Sequence, residues 1–298
     1  MLPVTAIGGY LGSGKTTLVN HLLRNADGRK LAVLVNEFGQ LPIDEDLIEA
    51  QDDTLISITG GCVCCSYGND LIEAMMSMLR MEPRPDHIVI EASGVALPGG
   101  IAASVSLMDG FELDGVVVMT DAETVRRQAA NDYIGDTIER QLSDADLVLL
   151  NKADLVSASQ LQDLETWMET NAPQAGIVRT AHGKVPTSVI LQGFDPDPAR
   201  FSGATHDSIA AFASEVLYFS GIVDADACAQ TLADSCFNLV RAKGFVPTVD
   251  GLRAIQVVGR RWAVSDAPED AVPGVVLIAA DAKLDLAGIK KALGDSVA

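Results

Sequence analysis

"VTAIGGYLGSGKTT", residues 4–17, decides the fold of this chain. Its first five residues form an apolar run of strand length, and the remainder fits the pattern G-x-x-x-x-G-K-[ST] from Gly9 to Thr16. A strand that turns through glycines into a helix is the setting in which this pattern cradles phosphate. Glycines let backbone N–H groups approach the phosphate oxygens, and the following helix N-terminus adds partial positive charge. Gly9, Gly12, Ser13, Gly14, Lys15, Thr16 and Thr17 are therefore candidate nucleotide-binding residues. Lys15 is placed to reach the β- and γ-phosphates, and Thr16 to hold Mg²⁺.

Outward from this loop, apolar runs recur at 31–35, 54–58, 87–91, 115–121 and 146–151. They alternate with helical patterns at 15–24, 70–79, 122–143 and 159–171. Near-continuous apolar strands belong to a parallel sheet covered on both faces. The expectation is an α/β P-loop NTPase domain with a mostly parallel sheet over residues 1–192. Its ligands should bind at the carboxyl ends of the strands. "GFDPDPARFSGAT" then breaks the periodicity with two prolines and two glycines, which predicts a linker over 193–206. Beyond it, residues 207–298 predict a smaller α+β domain with a mostly antiparallel sheet. Its elements are a strand at "EVLYFS", a helix over 225–242, short strands near "AIQVVG", "RWAVS" and "GVVLIAA", and a helix near 286–293.

The net charge is −20, from 41 acidic and 21 basic residues, which argues against nucleic-acid partners and anionic membranes. No apolar run approaches the roughly 20 residues that span a bilayer. The start "MLPVTAIGGYLG" has no basic n-region of a signal peptide, so a cytoplasmic protein is expected. In that compartment clustered cysteines are more often metal-binding or catalytic than disulfide-bonded.

Three further stretches extend the nucleotide site. "NKAD", residues 151–154, follows the strand "DLVLL". A carboxylate there can accept both N–H donors on guanine's edge, a pair that adenine lacks, so GTP is favoured over ATP. Asn151, Lys152 and Asp154 join the nucleotide-binding set. "IVIEASG" ends a strand in Glu91, which can support Mg²⁺ through water, and the N–H of Gly94 can sense the γ-phosphate. "VNEFGQLPIDEDL" lies where a nucleotide-sensitive segment would, and its Glu37 is a candidate to position the hydrolytic water. Asp44, Glu45 and Asp46 read as a solvated face.

"ITGGCVCCSYGND", residues 58–70, holds Cys62, Cys64 and Cys65, three of the five cysteines. A disulfide between adjacent cysteines would be strained. Soft sulfur ligands favour Zn²⁺ or a neighbouring late transition metal over Mg²⁺ or Ca²⁺. Two thiolates with another group form a comfortable site, and a redox role stays open.

In the order P-loop, "NEFG", "GGCVCC", "EASG", "NKAD", the chain resembles the CobW-like metallochaperone GTPases, relatives of the hydrogenase and urease nickel-insertion GTPases. "RAKGFVP" and "IQVVGRRW" are similar to that family's C-terminal module, so the likeness covers nearly the whole chain. The resemblance implies hydrolysis of GTP to GDP coupled to carriage of a transition metal on Cys62, Cys64 and Cys65, and the lack of an obvious arginine finger or water-orienting glutamine beside the P-loop predicts that it is slow. Zn²⁺ is expected first and Co²⁺ second. It also implies a client protein that receives the metal, and it leaves room for a homodimer. Departures are Gln40, where many relatives have an acid, the missing His-rich tract, and "CCSYGND" without the usual Thr and Arg. They argue against storage of many ions. The rival reading is a regulatory GTP switch whose cysteines are structural or redox-sensing. A P-loop kinase would have no use for "NKAD". Cys228 and Cys236 read as small core residues, Met75, Met76 and Met78 as helix packing, and His182 as either a base contact or a surface residue.

Overall fold

The computed structural model describes residues 1–26, 28–35, 69–191, 213–279 and 284–297. The first half of the chain runs β1 (Leu2–Gly8), α1 (Lys15–Arg24), β2 (Leu31–Val35), α2 (Asn69–Leu79), β3 (His87–Glu91) and α3 (Pro98–Ser106). It continues through β4 (Phe111–Asp121), α4 (Val125–Ala129), α5 (Gly135–Asp144), β5 (Leu147–Asn151), α6 (Ala158–Asn171), β6 (Gly176–Arg179) and α7 (Thr187–Ile190). These strands form one six-stranded sheet in the order β2-β3-β1-β4-β5-β6, with every pair parallel. The order reverses at β1, so the glycine loop opens where a doubly wound sheet holds its ligand.

Both faces of this sheet are covered, which is why its strands are apolar nearly throughout. Val4, Ile88, Val118 and Leu150 face α2, α3, α5 and α6 through Met75, Val105, Leu142 and Met168. Alternate residues, Ile7, Val89, Met119 and Leu149, face α1 and α7 through Leu18, Leu22 and Ile190.

The second half is β7 (Ala213–Leu217), α8 (Ala225–Leu232), β8 (Leu239–Thr248), β9 (Gly251–Val258), β10 (Arg261–Asp266), β11 (Gly274–Ala279) and α9 (Leu286–Leu293). Its five strands order as β10-β9-β8-β11-β7, all antiparallel. One face lies under α8 and α9, against Leu232 and Ile289. The other lays Val240, Val258, Val276 and Ile278 onto the core of the first sheet.

The two halves are also joined by charge. Asp114 of β4 is fully buried and accepts hydrogen bonds from Arg241 Nη1 at 2.8 Å and Lys243 Nζ at 2.9 Å, both on β8. Its carbonyl oxygen accepts from Arg241 Nη2 at 3.0 Å and Gln256 Nε2 at 2.7 Å. His87 Nε2 sits 3.9 Å from Asp114 Oδ2 and is hydrogen-bonded to Thr5 Oγ1 at 2.9 Å. Burial alone would raise the Asp114 carboxyl, but Arg241, Lys243 and His87 together hold it far below the usual carboxylate range. Burial pushes the His87 imidazole down to about 3 against the pull of Asp114, so it is neutral. At the far edge Arg261 donates to the carbonyls of Ser143 and Asp144, each at 3.2 Å, and lies 3.1 Å from Asp146 Oδ1.

Two helix expectations are corrected. The stretch 225–242 is not one helix: α8 stops at Leu232, a 3-10 turn spans Ser235–Phe237, and left-handed Asn238 (φ 51°) turns the chain into β8. Arg241 and Lys243 lie on β8 as the buried partners of Asp114. The stretch 122–143 divides into α4 and α5, with a turn in which Asn131 Oδ1 accepts from Tyr133 N at 2.9 Å. The expected strand at 54–58 and linker at 193–206 lie outside the described residues.

Candidate nucleotide site

β1 ends at Gly8 and α1 begins at Lys15, so residues 9–14 form the turn between them. Gly14 has φ 106°, and a Cβ there would lie 2.4 Å from Asn151 Nδ2. Gly9 has φ 130°, and its Cβ would meet the Met119 carbonyl oxygen at 2.2 Å. Glycine is required at both positions by backbone handedness and by the close approach of β4 and β5. No side chain caps α1 and its first turn holds no acid, so its leading N–H groups are presented to an anion. Lys15 is 8% exposed, with Nζ donating to the Gly9 carbonyl at 3.0 Å, so its ammonium lies folded over the loop.

The parallel pairing of β1 with β3 sets Glu91 level with Ile7. Glu91 is buried, and its Oε1 accepts from Thr16 Oγ1 at 3.0 Å. A hydroxyl and a carboxylate are hard oxygen donors of the kind that suits Mg²⁺ rather than a soft metal. Gly94 packs so closely on the loop that a Cβ there would lie 2.8 Å from the Leu11 backbone nitrogen.

At the end of β5, Asn151 is buried and spends its amide within the protein. Its Nδ2 donates to the Ser13 carbonyl at 2.8 Å, and its Oδ1 accepts from Gly183 N at 3.1 Å. It therefore ties the glycine loop to the loop after β6. Lys152 is left-handed (φ 58°) and donates to Asp121 Oδ2 at 2.6 Å, and Ala153 N donates to the Thr180 carbonyl at 3.1 Å. These contacts present Asp154 from a 3-10 turn, with its side chain exposed. Thr17 and His182 are exposed as well.

The carboxyl end of the sheet thus assembles the 9–17 loop, Glu91, Gly94 and 151–154. Asp121 belongs with them and was not singled out by sequence, although it closes the apolar run "GVVVMTD". Gln141 of α5, treated below, left no sequence signal. Glu37, Cys62, Cys64 and Cys65 lie outside the described residues, as does Gln40. Among the described residues no group of three or more His, Cys, Asp or Glu side chains is placed to hold a metal ion. Cys228 is buried as expected, its thiol pushed up to about 12 by burial, whereas Cys236 is exposed and not a core residue. Met75 and Met78 pack in the core, and Met76 is 38% exposed.

The family described as CobW/HypB/UreG, nucleotide-binding domain, matches residues 3–179. A protein called zinc chaperone CobW, from a Sinorhizobium species, is 32% identical over 305 residues, 87% of this chain and 86% of that protein. Zinc-regulated GTPase metalloprotein activator 1 of Dictyostelium discoideum is 32% identical over 228 residues, 64% of this chain and 48% of that protein. A crystal structure of Zn(II)-bound YjiA GTPase from E. coli aligns with a TM-score of 0.49 at 27% identity, over 98% of this chain and 97% of that one. Among the described residues no helix is long and apolar enough to cross a membrane.

Proposed function

The chain belongs to the CobW/HypB/UreG family and is a GTPase, and we propose that it carries Zn²⁺ on Cys62, Cys64 and Cys65 and releases it to a client protein as GTP is hydrolysed. One observation carries the coupling. Val35, the last residue of β2, pairs with Glu91, the residue that accepts from Thr16 of the glycine loop. The segment holding Glu37 and the three thiols therefore departs from the chain beside the phosphate end of the site. Glu37 follows Val35 by two residues, and the thiols come later on the same segment, so a γ-phosphate that orders this edge acts on the chain that bears them.

Lys15 and the N–H groups of the 9–17 loop bind the phosphates. Thr16 and Glu91 are the residues that would hold Mg²⁺, which when bound neutralises charge between the β- and γ-phosphates. Water attacks the γ-phosphorus, the bond to the β-bridging oxygen breaks, and phosphate leaves the N–H of Gly94. Asp154 is the base reader, because Asn151 is already committed to Ser13 and Gly183. The soft thiolates support Zn²⁺ as cargo, with Co²⁺ the alternative.

Calorimetry should give GTP·Mg²⁺ an affinity at least about tenfold above that of ATP·Mg²⁺, since the wrong base leaves a carboxylate unpaired. Asp154→Ala should remove the preference, and Lys15→Ala should abolish binding of both. Equal affinities in the parent chain would overturn the base assignment.

The decisive test is a titration of Zn²⁺ against a chromophoric chelator, run with GDP and with a non-hydrolysable GTP analogue. We expect tighter metal binding with the analogue by about 5- to 150-fold, and the metal must tighten the analogue by the same factor. Identical affinities would favour a second reading, a regulatory GTP switch. Cys62 and Cys65 stand in C-x-x-C spacing, which specifically favours a redox-sensing cluster in that case.

A further inference from the structure

The buried side of α5 runs through Gly135, Ile138, Gln141 and Leu142. Position 141 is thus one where the helical stripe calls for an apolar residue, yet it holds a primary amide that is 2% exposed. Burial of an amide is costly unless its N–H groups are bonded. Gln141 Nε2 donates to the carbonyls of Ala96 at 2.8 Å and Gly94 at 3.2 Å. Three residues along the same helix, Asp144 Oδ2 accepts from Gly99 N at 2.9 Å. Helix α5 therefore grips the segment 94–99 at three backbone groups.

That segment has a chemical task in the reading given above. The N–H of Gly94 is the group that meets a γ-phosphate, and the peptide of Gly94 is pressed against Leu11 of the glycine loop. The carbonyl that Gln141 holds belongs to the Gly94–Val95 peptide, one α-carbon beyond the Ser93–Gly94 peptide that carries the Gly94 N–H, so fixing it restricts how far that N–H can turn.

We propose that Gln141 is a positioning residue that sets GTP-over-GDP discrimination by holding the Gly94–Ala96 backbone against the glycine loop. The proposal rests on the assignment of Gly94 as the γ-phosphate contact. GDP makes no demand on that N–H, so its binding is indifferent to Gln141. Leucine and methionine at this position keep the side-chain bulk and lack the N–H groups. Either leaves the Gly94 carbonyl free to rotate away.

The experiment measures affinities of the full chain, with Mg²⁺, for GDP and for a non-hydrolysable GTP analogue. The parent is compared with Gln141→Leu and Gln141→Met, so that one variant serves if the other does not fold. GDP binding doubles as the check of folding. We expect GDP affinity within about twofold of the parent and analogue affinity reduced about five- to tenfold, the scale of the one hydrogen bond from Gly94 to the γ-phosphate. A general loss of stability would weaken both nucleotides together, and that result overturns the proposal, as does unchanged discrimination in a folded variant. If the parent itself binds the two nucleotides equally, the assignment of Gly94 fails first and takes the proposal with it. If the parent discriminates and the variants do so equally well, the role of Gln141 alone is refuted.

Discussion

On the proposed function, replacing Cys64 and Cys65 together with serine is expected to abolish tight Zn²⁺ binding. A serine hydroxyl is not ionised at neutral pH and is a hard donor, so the variant offers one thiolate where the parent offers three. Thiolate-rich zinc sites bind with apparent free energies of about 10–16 kcal/mol at neutral pH. Loss of two of the three thiolates should weaken binding by roughly a thousandfold or more. Metal analysis after dialysis against a weak chelator should then fall from about one Zn²⁺ per chain to none. Cys228→Ser and Cys236→Ser are the controls. The Cys228 thiol is pushed up to about 12 inside the second domain, so it remains protonated at neutral pH. Cys236 belongs to no group of three or more His, Cys, Asp or Glu side chains placed to hold a metal ion among the described residues. A double variant that binds Zn²⁺ as tightly as the parent would put the site elsewhere in the chain.

Asp114→Ala should destabilise the whole chain by about 3–5 kcal/mol, because it strands Arg241 and Lys243 in the core without their carboxylate. The expected fall in melting temperature is about 10 °C. The effect comes from the orphaned charges. Exchanging Asp114, Arg241 and Lys243 together for apolar residues of similar volume should therefore be far milder than the single change. Urea titration of both variants separates the cases, and equal losses would refute the electrostatic account. The same cluster gives the parent a pH signature. His87 has its folded pKa lowered to about 3 from an ordinary 6.5, so its contribution is fully present above pH 6.5. It is lost as pH falls from there towards 3, because the unfolded chain takes up the proton first. The depressed Asp114 acts in the same direction lower down: its share is present above about 3.8 and is lost as pH falls further.

The parts of the fold legible in sequence were those written in local pattern. The runs 31–35 and 87–91 and the helix at 15–24 have the bounds that apolar periodicity and the glycine loop predict. The misread stretch at 225–242 shows where such reading fails. Arg241 and Lys243 take their partner from a strand 127 and 129 residues away, and nothing nearby in sequence signals that a cation there is buried. Gln141 was missed for the same reason, since its partners are backbone carbonyls 45 and 47 residues back. "NKAD" falls at the end of β5 and in the turn after it, with Asn151 bonded to the glycine loop. That Asn151 fastens the glycine loop to Gly183 follows only from three segments meeting in space. The roles of Glu37 and the three clustered cysteines rest on family likeness and chemistry, because they lie outside the described residues.

The four aliphatic side chains that the second sheet lays onto the first also bear on the order of events during synthesis. Val240, Val258, Val276 and Ile278 complete a core whose other members, from Ile7 to Leu191, have all left the ribosome earlier. At about 5–20 residues per second, the chain from Leu191 to Ala279 takes roughly 5 to 20 seconds to make. Early in that interval the nascent GTPase half lacks the cover that these four side chains add to its core, and Asp114 is without its two cations. The domain encoded first is therefore completed only by residues of the domain encoded second.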